Sequence, residues 1–197
     1  MQRALHRFCL VSGVLLGLAY SATGDDVYAH ITRKNKVQNF HDPVALFCPK
    51  PAERSRLDQP EDLPVLALYF FRHATTAEEK NAFIAAIEAN SRTGVSEYPY
   101  AILELGLDAS LPFGPEAIQV FNVGRCSSAR DCALTGAMLN DSTQKSQWKV
   151  DLSRLSGELK AGGAIQFDLS FEHRATHYSA EFRGSAPLTL VARSRVQ

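Results

Sequence analysis

Between residues 165 and 171 the chain reads Ile-Gln-Phe-Asp-Leu-Ser-Phe. Ile165, Phe167, Leu169 and Phe171 take every second position, with Gln166, Asp168 and Ser170 between them. Successive side chains leave a strand on opposite faces. This period therefore predicts a strand with one buried and one wet face, the habit of antiparallel sheets. Tyr178–Arg183 and Leu188–Ala192 repeat the pattern, with turns predicted at 172–177 and 184–187.

Further strands are predicted upstream. Val27–Thr32 is rich in β-branched and aromatic residues and reads as an edge strand. His41-Asp42-Pro43 reads as a turn, and Val44–Cys48 as a short apolar run closed by Pro49. Val65–Phe71 (VLALYFF) is continuously apolar and reads as a strand buried on both faces. Tyr100–Leu107 sets Leu103, Leu105 and Leu107 on one face, and shorter strands are predicted at 118–123, 133–139 and 147–152. Residues 151–160 are ambiguous, with leucines at helical spacing but Gly157 and Gly162-Gly163 allowing a short helical turn at most.

One helix stands out. Thr76 and Glu79 form a capping box, Phe83, Ile84 and Ile87 make an apolar stripe, and Gly94 follows the predicted end, giving a helix over about 76–91. Strand, helix and strand over 65–107 would suit a βαβ unit. The whole predicts a mainly β, antiparallel sandwich-like single domain over 25–197 with the helix packed on it; the alternative is α+β, with 65–107 as a separate layer. Residues 49–64 (PKPAERSRLDQPEDLP), with four prolines, many charges and no apolar period, predict a long surface loop.

The first 24 residues read as an address. A basic start (Arg3, Arg7) leads into an apolar run from Phe8 to Ala19 and a small-residue exit at 21–24. That is the plan of a secretory signal peptide, and the run of 12 falls short of a transmembrane helix. Without residues 1–24 the chain has 173 residues, 19 basic and 21 acidic side chains, and no second apolar run of membrane length. The expectation is a soluble protein of the periplasm or exterior. Balanced charge speaks against a dedicated nucleic-acid binder. A composition of 45% hydrophobic and 21% charged residues speaks against disorder as the main state.

Cys48, Cys126 and Cys132 remain, an odd number for an oxidising compartment. The chain-entropy model gives about 2.4 kcal/mol for a Cys126–Cys132 loop and about 4.5 kcal/mol for Cys48–Cys126. Entropy thus favours the long bridge and proximity the short one. The polar, small-residue spacer between Cys126 and Cys132 favours that pair, leaving Cys48 as a buried thiol.

Catalytic motifs are mostly missing. There is no phosphate-cradling G-x-x-x-x-G-K-[ST], no nucleophile elbow and no H-E-x-x-H. Glu172, His173 and His177 are weak candidates for three metal ligands, and a polar hairpin tip is the plainer reading. Glu104, Glu116, Asp168, Glu172 and Glu181 are carboxylates of no specific pattern, each read as part of a solvated face. No cofactor is called for. The expected function is a non-enzymatic protein-binding module of the cell envelope: an inhibitor, an immunity-type protector or an assembly subunit. The alternative is a small secreted hydrolase with metal assistance. Another protein is the expected partner, contacting Arg54, Arg56, Asp58 and Glu61 in the long loop and Arg174 at the hairpin tip.

Overall fold

A computed structural model describes residues 28–49, 63–91, 94–95, 98–128 and 131–192, with Ser128 and Asp131 described by their backbone alone. The described chain is mainly β. In order it forms β1 (Ala29–Arg33), β2 (Lys36–Cys48), β3 (Val65–Phe71), α1 (Ala77–Glu88), β4 (Tyr100–Leu107), β5 (Ile118–Ser128), β6 (Asp131–Met138), α2 (Ser142–Ser146), β7 (Trp148–Gly157), β8 (Ala164–His173) and β9 (Tyr178–Leu190). These strands make one sheet of order β6-β5-β4-β3-β2-β1-β9-β8-β7. Neighbours along that order are antiparallel.

The sheet is curled. Phe121 on β5 and Trp148 on β7 are seven strand spacings apart, about 34 Å in a flat sheet. Their ring centroids are 5.1 Å apart. Phe70 on β3 likewise meets Phe167 on β8 at 5.6 Å and Phe182 on β9 at 5.2 Å. One continuous sheet thus wraps its inner face around a single core, where the sequence predicts a sandwich of two sheets. Among the described residues the two free edges are β6 and β7, and α2 lies against both.

Two local devices make the curl. β1 is short, and beyond Ala29 its neighbours β2 and β9 pair directly and in parallel, Ala45 opposite Leu188 to Phe47 opposite Leu190. β2 itself shifts register between His41 and Val44, and Asp42 takes φ 47°. An extra residue in one strand bends it and raises its twist. The Asp42 carboxylate accepts from the Thr75 backbone N–H at 2.6 Å and the Lys80 ammonium at 3.3 Å. The bend is therefore tied to the start of α1. Asp42-Pro43, predicted as a turn, is a bulge inside a strand.

The helix runs Ala77–Glu88 with both halves of the Thr76–Glu79 capping box formed. Phe83, Ala86 and Ile87 face the outer side of the sheet, where Phe83 packs edge-to-face on Tyr69, Phe71 and Tyr100. Asn90, at φ 55°, supplies the left-handed residue that ends it, ahead of Gly94.

Several predicted elements change. The 65–107 unit is no βαβ: β3 and β4 pair antiparallel. β1 is internal, held between β2 and β9, and no edge strand. The ambiguous 151–160 stretch is largely strand, the second half of β7. The turn predicted at 184–187 is absent, because β9 continues to pair with β8 through Pro187. Gly184 takes φ 139°, and a Cβ there would come within 2.4 Å of the Tyr28 ring, so glycine is needed on both counts.

Candidate functional site

The expected site residues disperse. Arg54, Arg56, Asp58 and Glu61 lie outside the described residues, as does the 1–24 address. Arg174 is exposed in the turn between β8 and β9. Glu172 and His173 are adjacent on β8, so their side chains take opposite faces of the sheet. Glu172 pairs with Lys149 at 3.7 Å. His173 packs edge-to-face on Trp148 with ring centroids 4.8 Å apart, and its Nδ1 accepts from the Ala175 N–H at 3.2 Å. His177 is exposed. Among the described residues no three His, Cys, Asp or Glu side chains are grouped to hold a metal ion.

The Cys126 and Cys132 sulfurs stand 2.03 Å apart, at disulfide distance, on directly opposed residues of β5 and β6. Cys48 is buried, its thiol donating to the Ala192 carbonyl at 3.2 Å.

Glu104 departs from its predicted solvated face. It is 3% exposed and stands in register with Asn122, which is 7% exposed. The reason is that β4 is buried on both faces, its outer side lying among Tyr69, Tyr100 and Ile102. The Asn122 Nδ2 makes no hydrogen bond among the described residues. Gly136, opposite Asn122 on β6, lets the strands come close: a Cβ there would sit 2.0 Å from the Phe121 carbonyl oxygen.

The inner face carries the larger polar feature. The core fills the curl as far as Phe40, Ile31, Ala180 and Phe171. One step beyond, alternation places Gln38 and Lys36 on β2, Arg33 on β1, Tyr178 on β9 and Arg125 on β5, all toward the same open end. Arg72 follows Phe70 by two and joins them. Arg125 donates to the Gln38 side-chain oxygen at 2.7 Å, reaching across from the other half of the sheet. The Arg72 guanidinium lies over the Phe40 ring at 5.7 Å. Gln38 and Phe40 are two apart on one face of β2, so the two guanidiniums engage neighbouring side chains of that strand. Arg33 is in register with Tyr178.

Burial pushes the Tyr178 phenol well above its ordinary range, and the charges of Arg33 and Arg125 pull it part of the way back. A raised folded-state value means the unfolded chain releases this proton first. The associated stability is fully present below about pH 10, the ordinary phenol value, and is lost as pH rises beyond it. The urea midpoint should therefore fall between pH 9 and pH 11, and a Tyr178→Phe variant should fall less. An equal fall in both would assign the effect to other groups.

Sequence reasoning missed this end of the sheet. Its residues come from four strands and a strand end, and only the parity of each strand was visible. No protein-family model, no curated protein and no solved structure matches the chain.

Proposed function

We propose that this protein is an exported, soluble, non-enzymatic protein-binding module of the cell envelope, working in the periplasm or outside the cell, and that it takes its partner by strand addition on β6. The edge of β6 carries the reading. Leu139 N–H donates to Gln119 O on β5 at 2.7 Å, whereas Met138 N–H turns the other way, to the Gln144 side chain of α2 at 3.0 Å. By the same alternation Leu134 and Gly136 turn their backbone groups to the unpaired side.

From Cys132 to Met138 no residue is charged and none is proline. The other edge, β7, carries exposed Lys149, Asp151 and Arg154 and a register shift between Asp151 and Arg154, the usual protections of an edge strand. An edge uncharged from Cys132 to Met138 and engaged by α2 at Met138, beside a charged and bulged one, suits a docking strand. Two observations support export: the basic start and apolar run of the first 24 residues, and the Cys126–Cys132 pair, which suits an oxidising compartment. Arg174 at the β8–β9 tip is proposed as a further contact residue.

The test is capture from the native envelope fraction. A Thr135→Lys variant places a charge on the exposed β6 edge and should lose its partner at least tenfold, on the order of a hot-spot contact. Ser153→Lys on β7 should retain it. Equal capture by the Thr135→Lys variant would exclude the β6 edge.

A further inference from the structure

We propose that the open end of the curled sheet is a binding site for a phosphate-type dianion, held by Arg33, Lys36, Arg72, Arg125 and the Tyr178 hydroxyl. This site is distinct from the β6 edge and stands independently of strand addition there.

Four cationic side chains point to one end of the inner face, and none of them forms an ion pair among the described residues. The described carboxylates that do pair with cations are engaged elsewhere: Asp42 with Lys80, Glu158 with Lys160, Asp168 with Arg183 and Glu172 with Lys149. Bringing like charges together without a counter-charge is unfavourable, most of all where water is partly excluded. Arg72 and Arg125 are both half-buried, and they converge on neighbouring positions of β2.

Two donors there are also unspent. The Arg72 Nη1 and the Tyr178 hydroxyl are buried and make no hydrogen bond among the described residues. A buried donor without an acceptor is costly, and an oxyanion lowers that cost while neutralising the charge.

The arrangement selects among anions. A carboxylate is flat and is satisfied by the fork of one guanidinium. Here the donors come from β1, β2, β5, β9 and the end of β3, so they approach from several sides. A tetrahedral group with several acceptor oxygens and a double charge can meet more of them at once. Half-buried His173 stands in register with Tyr178, its ring edge-to-face with the buried Trp148 beneath, and borders the site on that side. Such a phosphate is carried by a small soluble ester or by a lipid headgroup.

The experiment is titration of the full expressed chain with inorganic phosphate at about 150 mM salt, where exposed charges are largely screened. It is read by calorimetry and by amide chemical shifts. Saturable binding is expected, with shifts at Tyr178 and Arg72, and acetate should bind at least tenfold more weakly, as one charge-assisted fork is worth less than several. Arg72→Gln and Arg125→Gln should each weaken phosphate at least tenfold, while Lys160→Gln, at an exposed loop cation, should not. Arg33→Gln, at the exposed rim, keeps the test open if a half-buried arginine proves necessary for folding.

Co-sedimentation with phosphatidic acid vesicles then separates the sources. Arg125-dependent sedimentation assigns the headgroup, and phosphate binding without sedimentation assigns a soluble ester. Phosphate binding no tighter than acetate, or equal binding by the arginine variants and the parent, overturns the proposal. So does tighter, Arg125-dependent binding of a glutamate-rich peptide, which would make the site one for acidic protein segments.

Discussion

Replacing Phe70 by alanine should destabilise the protein by about 3–5 kcal/mol, the usual cost of removing a large aromatic side chain from a core that cannot collapse around the gap. Phe70 is fully buried on β3, in the middle of one half of the sheet. Its ring meets Phe167 of β8 at 5.6 Å and Phe182 of β9 at 5.2 Å, both in the other half. The residue therefore carries contacts across the curl, on top of those with its own neighbours. The edge-to-face pair with Phe167 adds about 0.5–1.5 kcal/mol beyond area burial, so the upper half of the range is expected. A loss of that size corresponds to roughly 10 °C in the melting temperature of a domain this large. Urea unfolding of the Phe70→Ala variant measures it. Phe70→Leu should recover more than half, since leucine still fills most of the volume. A loss under about 1 kcal/mol would mean that Phe70 is not enclosed, because that is the range of surface substitutions. The two halves of the sheet would then not close on one core.

The elements that depend on local signals were legible in the sequence. The alternation at 165–171 gives β8, the continuous apolar run 65–71 gives a strand buried on both faces, and Thr76 with Glu79 gives the capped helix. Elements were misread where a tertiary contact overrides local chemistry. Gly184 and Pro187 read as a turn, yet β8 holds the strand straight through them. Asp42-Pro43 reads as a turn, yet Thr75 and Lys80 fix it as a bulge. The β1–β2 connection was missed because one of its two turn positions is Lys34. Lys34 and Asn35 take φ 48° and 63°, the geometry of a type I′ hairpin, and lysine is an uncommon residue there.

The cationic end of the sheet is legible in no local window. Arg33, Arg72 and Arg125 lie 39 and then 53 residues apart in sequence, on strands whose inner faces are known only once the register is known. Their meeting also requires the curl, which depends on β1 being short enough for β2 and β9 to pair. Glu104 is a related case. Alternation on β4 alone assigns it to the wet face, and only the covering of the outer face buries it.

Removing the Cys126–Cys132 link should cost about 2.4 kcal/mol by the chain-entropy model for a seven-residue loop. Entropy alone would have favoured a bridge from Cys48 to Cys126, and sheet geometry decides against it. Cys48 is on β2 and Cys126 on β5, with β3 and β4 between them. Across the sheet Cys48 is in register with Val65, Gly106 and Val120, so it lies three strands away and six residues along β5 from Cys126, about 20 Å in the strand direction and far beyond the reach of a disulfide. Cys126 and Cys132 are opposed residues of adjacent strands, with Cα atoms 4.1 Å apart. Non-reducing peptide mapping of the protein from an oxidising compartment should therefore find this link alone. Cys48, at 1% exposure, should react with a thiol reagent only after unfolding. A Cys126→Ala/Cys132→Ala variant should unfold at lower urea, and adding reductant should lower the parent's midpoint and leave the variant's unchanged. A shift by reductant in the variant would reveal a second linkage, and a mapped Cys48 bridge would require β2 to lie beside β5 or β6, which this strand order forbids.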